Sequence, residues 1–303
     1  MEGTKPRTAS SLGMFDLLKG VGMLLIVFAH TSELYPVGDI STITPVTFFL
    51  FAYRESLMAA FYIASGYGFR KRSIGKCISQ QFKTLFKPYA YTGLATTIAH
   101  FVIHYQTFGN WNNAVYETYK VLGGFVLGLP HTATYFGQEF FSCGPMWYLL
   151  ALMIGWILLD IILNIFPESY IKWAVLGTML LGWGISLVWE APFCIAQGMV
   201  TVPYLYIGFL AKKKRLFEKK FRPLAILGLL AAALGVALGV LLTGKTDCVS
   251  LGEWTMGPVS ILLDGIVGLG FIVLFMKVQR LLDNPVTPVS YTHLRAHETC
   301  ADL

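Results

Sequence analysis

Two ionisable residues, Lys19 and His30, lie eleven positions apart in one apolar segment near the N-terminus. The segment, FDLLKGVGMLLIVFAH, runs from Phe15 to His30. In an α-helix this spacing puts Lys19 and His30 on one face, about 16 Å apart along the axis, with Asp16 near the same stripe. A charge at the centre of a spanning helix costs about 2.5–3.5 kcal/mol, so such groups point to a functional site. The alternative is that Lys19 and His30 only mark the two ends of the helix, with Lys19 snorkelling to the interface.

The composition is that of an integral membrane protein. Of the 303 residues, 55% are hydrophobic and only 13% are charged, and the mean hydropathy is +0.61. Soluble domains carry about 25% charged residues. The net charge of +6 therefore does not indicate a nucleic-acid partner. The N-terminus lacks a small-residue cleavage site, so we predict a retained first span.

Eight segments approach the roughly 20 apolar residues that a membrane span needs. They are Met14–Thr31, Val46–Gly68, Pro88–Tyr105, Pro145–Phe166, Lys172–Trp189, Gln197–Ala211, Pro223–Leu242 and Pro258–Met276. With a cytoplasmic N-terminus, 19 of the 22 lysines and arginines before residue 289 fall on the inner side. This asymmetry predicts an all-α, polytopic transmembrane helical bundle in that orientation.

A further apolar stretch, Val121–Pro130, lies in the long outer segment after the third span. Ten residues with three glycines are too few to cross a bilayer. We therefore expect a re-entrant or interfacial segment that lines a cavity, or, alternatively, one that only packs against neighbouring helices.

The last fifteen residues differ from the rest of the chain. Their first part, VSYTHLRAHET at 289–299, looks like the in-frame translation of an adapter used in preparing sequencing libraries. We therefore predict a membrane domain over 1–288, incomplete at its C-terminus, and a non-native tail over 289–303. The alternative is a genuine histidine-containing tail that binds metal.

Five sequence blocks occur in order along the membrane domain. They are DLLKGVGMLLIVFAH from Asp16, FYIASGYGF from Phe61, a basic stretch leading into Lys87-Pro88-Tyr89, GPMWYLLAL from Gly144, and Pro192–Leu210 followed by Lys212-Lys213-Lys214. Together they resemble the acyltransferase 3 family, bacterial membrane acyltransferases that acylate carbohydrates and related cell-surface molecules. Two features depart from the family pattern. Ser56–Ala60 stands where relatives often read Phe-His-Met-Pro-Leu, and eight of the family's usual ten spans are readable.

The resemblance implies transfer of an acyl group, most often acetyl, from acyl-CoA to a hydroxyl of a carbohydrate or other cell-surface acceptor. It implies a location in the bacterial plasma membrane. His30 is the candidate base, Lys19 would guide the donor, and Asp16 would orient Lys19. The candidates for binding the phosphates of acetyl-CoA are Arg70, Lys71, Arg72 and Lys83. The alternative is that these cations only set the topology.

Other polar groups at membrane depth are candidates for a substrate cavity. They are Arg54, Glu55, Ser65, Tyr67, Trp147, Glu190, Gln197 and Asp264. Asp264 is the costliest if unpaired, so we expect it to have a partner or a water-filled pocket. His100 and His104 have a spacing that suits a metal, but no third ligand is in reach, so we expect a helix interface and no metal site.

Cys143, Cys194 and Cys248 fall on the predicted outer side but define no framework, so no disulfide is predicted. The partners expected are acyl-CoA, the acceptor and membrane lipid. The acceptor's identity, the acyl length and the oligomeric state stay open. A transporter or exporter would also place polar groups inside a bundle, and it is the second hypothesis. The sequence contains no visible repeat that would favour it.

Overall fold

The computed structural model describes residues 15–33, 45–219 and 223–282; at 26, 28–33, 45–47 and 280–282 it describes the backbone only. The described residues form eleven α-helices and one short β-hairpin. The helices are α1 (Asp16–Glu33), α2 (Pro45–Ala52), α3 (Arg54–Gly68), α4 (Ile74–Gln81), α5 (Lys87–Phe108), α6 (Trp111–Leu127), α7 (Trp147–Ile165), α8 (Glu168–Val188), α9 (Ile195–Lys213), α10 (Pro223–Thr243) and α11 (Pro258–Leu282). The hairpin pairs β1 (Ala133–Tyr135) with β2 (Gln138–Phe140). The predicted all-α bundle is confirmed.

Five helical segments of the described chain are long and apolar enough to cross a membrane. They are Gly144–Ile165, Glu168–Val188, Pro192–Lys213, Pro223–Thr243 and Pro258–Gln279. These five correspond to the last five predicted spans. The first predicted span is the helix α1, and the second is divided at Tyr53 into α2 and α3.

The third predicted span, Pro88–Tyr105, lies within helix α5 and is not among the five long apolar segments of the described chain. Helix α4, a π-helical turn at Phe82–Phe86 and helix α5 follow one another without a break. The part that packs along α7 is α4 with the π-turn, whereas α5 packs against α6. The stretch that lies beside a spanning helix is therefore Ile74–Phe86, which is less apolar than the segment chosen by hydropathy.

Helices α5 and α6 form an antiparallel hairpin. Gly109, with φ of 63°, ends α5, and the Asn110 side chain caps α6 by accepting a hydrogen bond from the Asn113 N–H at 3.1 Å. The predicted re-entrant segment Val121–Pro130 is the last part of α6 and the turn after it, and its helical part packs on α5. The helical part therefore packs against a neighbouring helix, as the alternative expects, and Leu129 and Pro130 at the end of the segment line a small cavity.

Helices α3 and α9 form the centre of the bundle. Helix α9 also packs along α7 and α8, and α11 packs along α3. Close approach depends on small residues. A Cβ on Gly66 would lie 2.1 Å from the Leu205 carbonyl oxygen, and a Cβ on Gly208 would lie 2.0 Å from that of Ile63. This crossing of α3 with α9 sets where each end of α3 lies in the bundle.

The bundle has two chemically distinct ends. The basic end carries the connection 69–73 and the C-terminal turn of α9. The loop end is where the connections 128–143, 189–194 and 244–257 meet. The side chains of interest divide between these ends.

Candidate functional site

Helix α1 packs against the bundle through one face. Phe15 lies edge-to-face on Tyr67, with ring centroids 5.3 Å apart, and Leu18 is buried. Lys19 and Met23, on another stripe, are exposed. His30 lies on α1, but its side chain is outside the description. Helical spacing places the His30 Cα on the same stripe of α1 as Lys19. At Lys19 and Met23 no other described residue covers this stripe.

Contacts between α1 and α3 indicate where the His30 backbone lies. Near one end of α1, Phe15 meets Tyr67, and two turns later the Gly22 position faces the ring of Phe61. The two helices are therefore antiparallel. Continued for two more turns, this register brings the backbone of His30 towards the start of α3, where Arg54 lies, and α1 also contacts α2. Asp16 is partly exposed at the opposite end of α1.

The connection between α3 and α4 is held rigidly at the basic end. The Arg72 N–H donates to Asp160 Oδ1 at 3.0 Å, and Asn164 Nδ2 donates to the Arg72 carbonyl oxygen at 2.8 Å. Phe69 is buried and packs edge-to-face on Trp156 with ring centroids 5.5 Å apart. The backbone that carries the cations is thus anchored on α7.

This anchoring brings two separate basic segments together. Lys212, at the end of α9, is close enough to Arg70 for their charges to repel, and its Nζ lies 5.9 Å from the centre of the Tyr67 ring. Arg70 and Lys71 are exposed. Lys83 is also exposed, but it lies nine residues beyond Ile74, about 14 Å along the continuous helix. Arg70 and Lys212 therefore form the basic cluster, with Lys83 further along.

Buried carboxylates gather towards the loop end. Arg54 pairs with Glu55, Nε to Oε1 at 3.4 Å, and Glu55 is 6% exposed. Asp264 is fully buried and accepts a hydrogen bond from Ser56 Oγ at 2.5 Å. Asp264 thus has the partner that its cost predicted, and the cavity candidates Arg54 and Glu55 pair with each other.

A third carboxylate, Asp247, completes this cluster from the connection 244–257. Its Oδ1 accepts a hydrogen bond from the Thr255 N–H at 2.5 Å. Its carboxyl group lies within electrostatic range of that of Asp264. Asp247, Asp264 and Glu55 form what we name the carboxylate cluster.

Several polar atoms beside this cluster have no hydrogen-bond partner among the described residues. They are Glu55 Oε2, Asp247 Oδ2, Asp264 Oδ2 and the hydroxyls of Tyr62 and Tyr204. Both tyrosines are almost completely buried, and their hydroxyls lie within electrostatic range of Glu55. Buried polar groups are normally paired, so this concentration of unpaired atoms suits a polar ligand.

The connection 244–257 links the cluster to a second polar group. The Ser250 carbonyl oxygen accepts from Gln197 Nε2 at 3.3 Å and interacts with His131 Nδ1 at 3.0 Å. The Val249 backbone lies close enough to the Glu55 carboxylate to interact with it. His131 Nε2 lies 3.1 Å from Glu190 Oε1. One loop therefore contacts α3, the start of α9 and the connection 128–143.

A small open cavity of about 60 Å³ lies beside this second group. His131, Glu190 and Gln197 line it, together with the partly exposed Trp189. Gln197 is 7% exposed, and its Oε1 has no partner among the described residues. The volume exceeds the roughly 10–15 Å³ needed for one water. Glu190 and Gln197, which the sequence placed in a substrate cavity, do share a cavity.

Three further candidates lie on α3 and at the start of α7. Ser65 lies within hydrogen-bonding distance of Tyr148, whose ring is 4.7 Å from that of Tyr62. Trp147 packs edge-to-face on Tyr148 at 6.3 Å. Tyr67 lies at the basic end, as described above. These residues are therefore distributed along α3 and the start of α7.

Sequence reasoning missed Asp247, His131, Tyr62 and Tyr204. Asp247 and His131 lie in connections, and only the fold brings them against α3 and α9. The two tyrosines occur in apolar helices, where an aromatic residue is normally core. Of the other histidines, His100 Nδ1 lies 3.2 Å from Thr118 Oγ1 across the α5–α6 hairpin, in agreement with a helix interface.

The family comparison agrees with this arrangement of a membrane bundle with polar ends. The family described as an acyltransferase domain, acyltransferase 3, matches residues 13–286. No curated protein and no solved structure matches the chain. The family match covers the first helix, both polar ends and the last described helix, and the chain belongs to the acyltransferase 3 family of membrane acyltransferases.

Proposed function

We propose that this acyltransferase moves an acetyl group from acetyl-CoA to a hydroxyl of a carbohydrate or another cell-surface acceptor. We place it in the plasma membrane of a bacterium, with its N-terminus and basic end in the cytoplasm. The observation that carries the proposal is the division of chemistry between the two ends of α3. Cations surround one end, and unpaired carboxylate and hydroxyl groups surround the other.

The basic end suits the donor. Coenzyme A carries several phosphate charges, and arginine binds phosphate through two parallel hydrogen bonds. Arg70 and Lys212 are close neighbours at this end, and Asp160 and Asn164 hold the backbone of the connection. A fixed backbone lowers the cost of ordering the cations around a phosphate.

The chemical step needs a base and a group that stabilises negative charge. In the proposed reaction, His30 removes the proton of the acceptor hydroxyl while its oxygen attacks the thioester carbonyl carbon. The tetrahedral intermediate then collapses, the C–S bond breaks, and the coenzyme A thiolate takes the proton. Lys19, oriented by Asp16, guides the donor along the stripe of α1 that the described residues leave open.

The loop end suits a hydroxyl-rich acceptor. The unpaired atoms of Glu55, Asp247 and Asp264 include carboxylate oxygens, which accept hydrogen bonds when ionised. Gln197 adds an unpaired amide oxygen in the neighbouring cavity. Sugar hydroxyls supply the matching donors. An acceptor of this kind satisfies buried groups that otherwise cost about 1–3 kcal/mol each.

A vesicle assay tests the proposal directly. Inside-out vesicles that contain the protein receive acetyl-CoA labelled in its acetyl group. We expect base-labile label in the acceptor fraction and one free coenzyme A thiol for each acetyl group transferred. Vesicles without the protein are the control. Movement of solute without thiol release would contradict the proposal and favour a transporter.

Removing the basic cluster should weaken donor binding. We expect the double variant Arg70→Gln/Lys212→Gln to raise the KM for acetyl-CoA by about tenfold or more, which corresponds to about 1.4 kcal/mol. The kcat should change less than about threefold, because neither cation takes part in proton transfer. Initial rates over a series of acetyl-CoA concentrations measure both constants.

Lys172→Gln is the matched control for this variant. Lys172 is an exposed cation that lies 5.2 Å from the centre of the Trp173 ring, on another helix. Its loss should leave the KM for acetyl-CoA unchanged. An unchanged KM in the double variant would restrict Arg70 and Lys212 to a topological role.

A further inference from the structure

Two cysteine thiols meet at the loop end, although 51 positions separate them in the sequence. The Cys143 N–H donates to the Leu129 carbonyl oxygen at 2.9 Å. The Cys194 thiol donates to the carbonyl oxygen of the preceding residue, Gly128, at 3.2 Å. These two acceptors are adjacent residues, and the two thiols lie close enough to interact electrostatically. Neighbouring residues of one turn therefore position both cysteines.

The surroundings hold this pair in a single arrangement. Cys143 is 2% exposed and Cys194 is completely buried. The Tyr89 hydroxyl donates to the Phe125 carbonyl oxygen at 2.6 Å and lies within hydrogen-bonding distance of Cys143. Cys194 has a left-handed backbone conformation, with φ of 54°, which directs the chain into α9.

The other cysteines of the described chain have different neighbours. The Cys248 sulfur lies 3.2 Å from Ser250 Oγ. The Cys77 sulfur lies 4.0 Å from the Trp156 carbonyl oxygen, beside α7 and towards the basic end. Cys143 and Cys194 are thus the pair for which the described contacts support a bond.

We propose that Cys143 and Cys194 form a disulfide on the outer side of the membrane. The oxidant is an extracytoplasmic disulfide of the dithiol–disulfide exchange type. The thiolate of one cysteine attacks it and forms a mixed disulfide, and the second cysteine then displaces the oxidant's sulfur. Two protons and two electrons leave the cysteines, one S–S bond forms, and the oxidant is reduced to two thiols.

The compartment and the local chemistry both favour this reaction. Disulfides persist in extracytoplasmic space and are rare in the cytosol, and the charge asymmetry of the chain puts the loop end outside. Hydrogen bonding to Cys194 is the main influence that lowers the pKa of the Cys143 thiol; burial opposes it and Tyr89 reinforces it. Because the finished site is buried, exchange takes place while the outer connections are still folding.

The disulfide would join two walls of the small cavity that His131, Glu190 and Gln197 line. The turn that positions both cysteines continues into Leu129 and Pro130, and the residues flanking Cys194 include Ala191 and Ala196; all four line the cavity. A link between Cys143 and Cys194 would hold these walls at a fixed separation. The inference rests on the proposed orientation of the chain, and it does not depend on acyl transfer.

Counting trapped thiols tests the disulfide. A Cys77→Ser/Cys248→Ser/Cys300→Ser chain keeps only the pair. Cells are denatured in the presence of N-ethylmaleimide so that buried free thiols are also blocked. Excess reagent is removed, and the chain is reduced and labelled with a 5 kDa polyethylene glycol maleimide. We expect the reduced chain to migrate on a gel with the added mass of two polymer chains, one on each cysteine. The chain that was not reduced should not shift. Adding Cys143→Ser should abolish the shift, because N-ethylmaleimide then blocks Cys194.

Peptide mapping of the unaltered chain without reduction keeps the test decisive if the triple variant fails to accumulate. A linked peptide pair that contains Cys143 and Cys194 supports the proposal. Two peptides alkylated at these cysteines would overturn it, and so would a link from either of them to Cys248. These readouts are independent of acyltransferase activity, so failure here and failure of the proposed function are distinguishable.

Discussion

Replacing His30 with alanine is expected to reduce acetyl transfer by about 100- to 10,000-fold, the range typical of losing a general base. The physical reason is that a hydroxyl is a poor nucleophile until its proton is removed. The binding of acetyl-CoA at Arg70 and Lys212 should be retained, so the loss should appear in kcat. Single-turnover formation of the acetyl ester in vesicles measures the chemical step without product release.

The matched control is His104→Ala. His104 lies in the α5–α6 hairpin, with its ring centroid 5.6 Å from that of His100 and 4.6 Å from that of Phe108, away from the basic cluster and the carboxylate cluster. Its replacement should change the rate less than threefold at equal protein level. Unaltered transfer in His30→Ala would mean that His30 only marks one end of α1, as the alternative interpretation of the segment holds.

The general fold is largely readable from sequence because hydropathy and charge act over long segments. Five spans and the helical character of α1 follow from apolar length alone. The third predicted span is not one of these five, and its helix α5 continues from Ile74–Phe86, which contains two lysines and two glutamines. Gln81 is nevertheless 2% exposed beside α7. Contact with α7 buries this polar side chain, and a mean hydropathy taken over one segment cannot predict such a contact.

The candidate site is predictable only in part, for a different reason. Glu55 and Asp264 stand out because a charge inside an apolar helix is costly wherever it points. Asp247 and His131 lie in connections, where polar residues are ordinary and carry no such signal. Their importance comes from the loop 244–257, which turns back over α3 and α9. That fold is a long-range property, and spacing within one helix does not encode it.

The positions of the two polar ends both depend on the crossing of α3 with α9. The bonds of the connection 69–73 to α7 and the ion pair of Arg54 with Glu55 lie beyond opposite ends of the contact between α3 and α9. If these helices separated, the Tyr67–Lys212 contact and the Tyr62–Tyr204 contact would both change. The glycines at the crossing are therefore the positions where a small change in volume should have the widest consequence.

Gly66→Ala is accordingly expected to destabilise the protein by about 3 kcal/mol, the upper end of the range for overpacked interiors. The new methyl group would meet the Leu205 carbonyl oxygen at 2.1 Å, and backbone in a packed helix cannot yield as a flexible side chain does. The midpoint temperature for loss of monodisperse protein in detergent, measured by size-exclusion chromatography after heating, should fall clearly.

Gly68→Ala provides the comparison within the same helix, because a Cβ at Gly68 meets no atom within 4 Å. Alanine favours a helix by about 1 kcal/mol over glycine, so Gly68→Ala should leave the midpoint temperature equal or slightly higher. The two variants add the same methyl group two residues apart, and helix propensity alone would stabilise both. Opposite effects would identify the contact of α3 with α9 as the cause, whereas equal midpoints would mean that the crossing can widen to accept a methyl group.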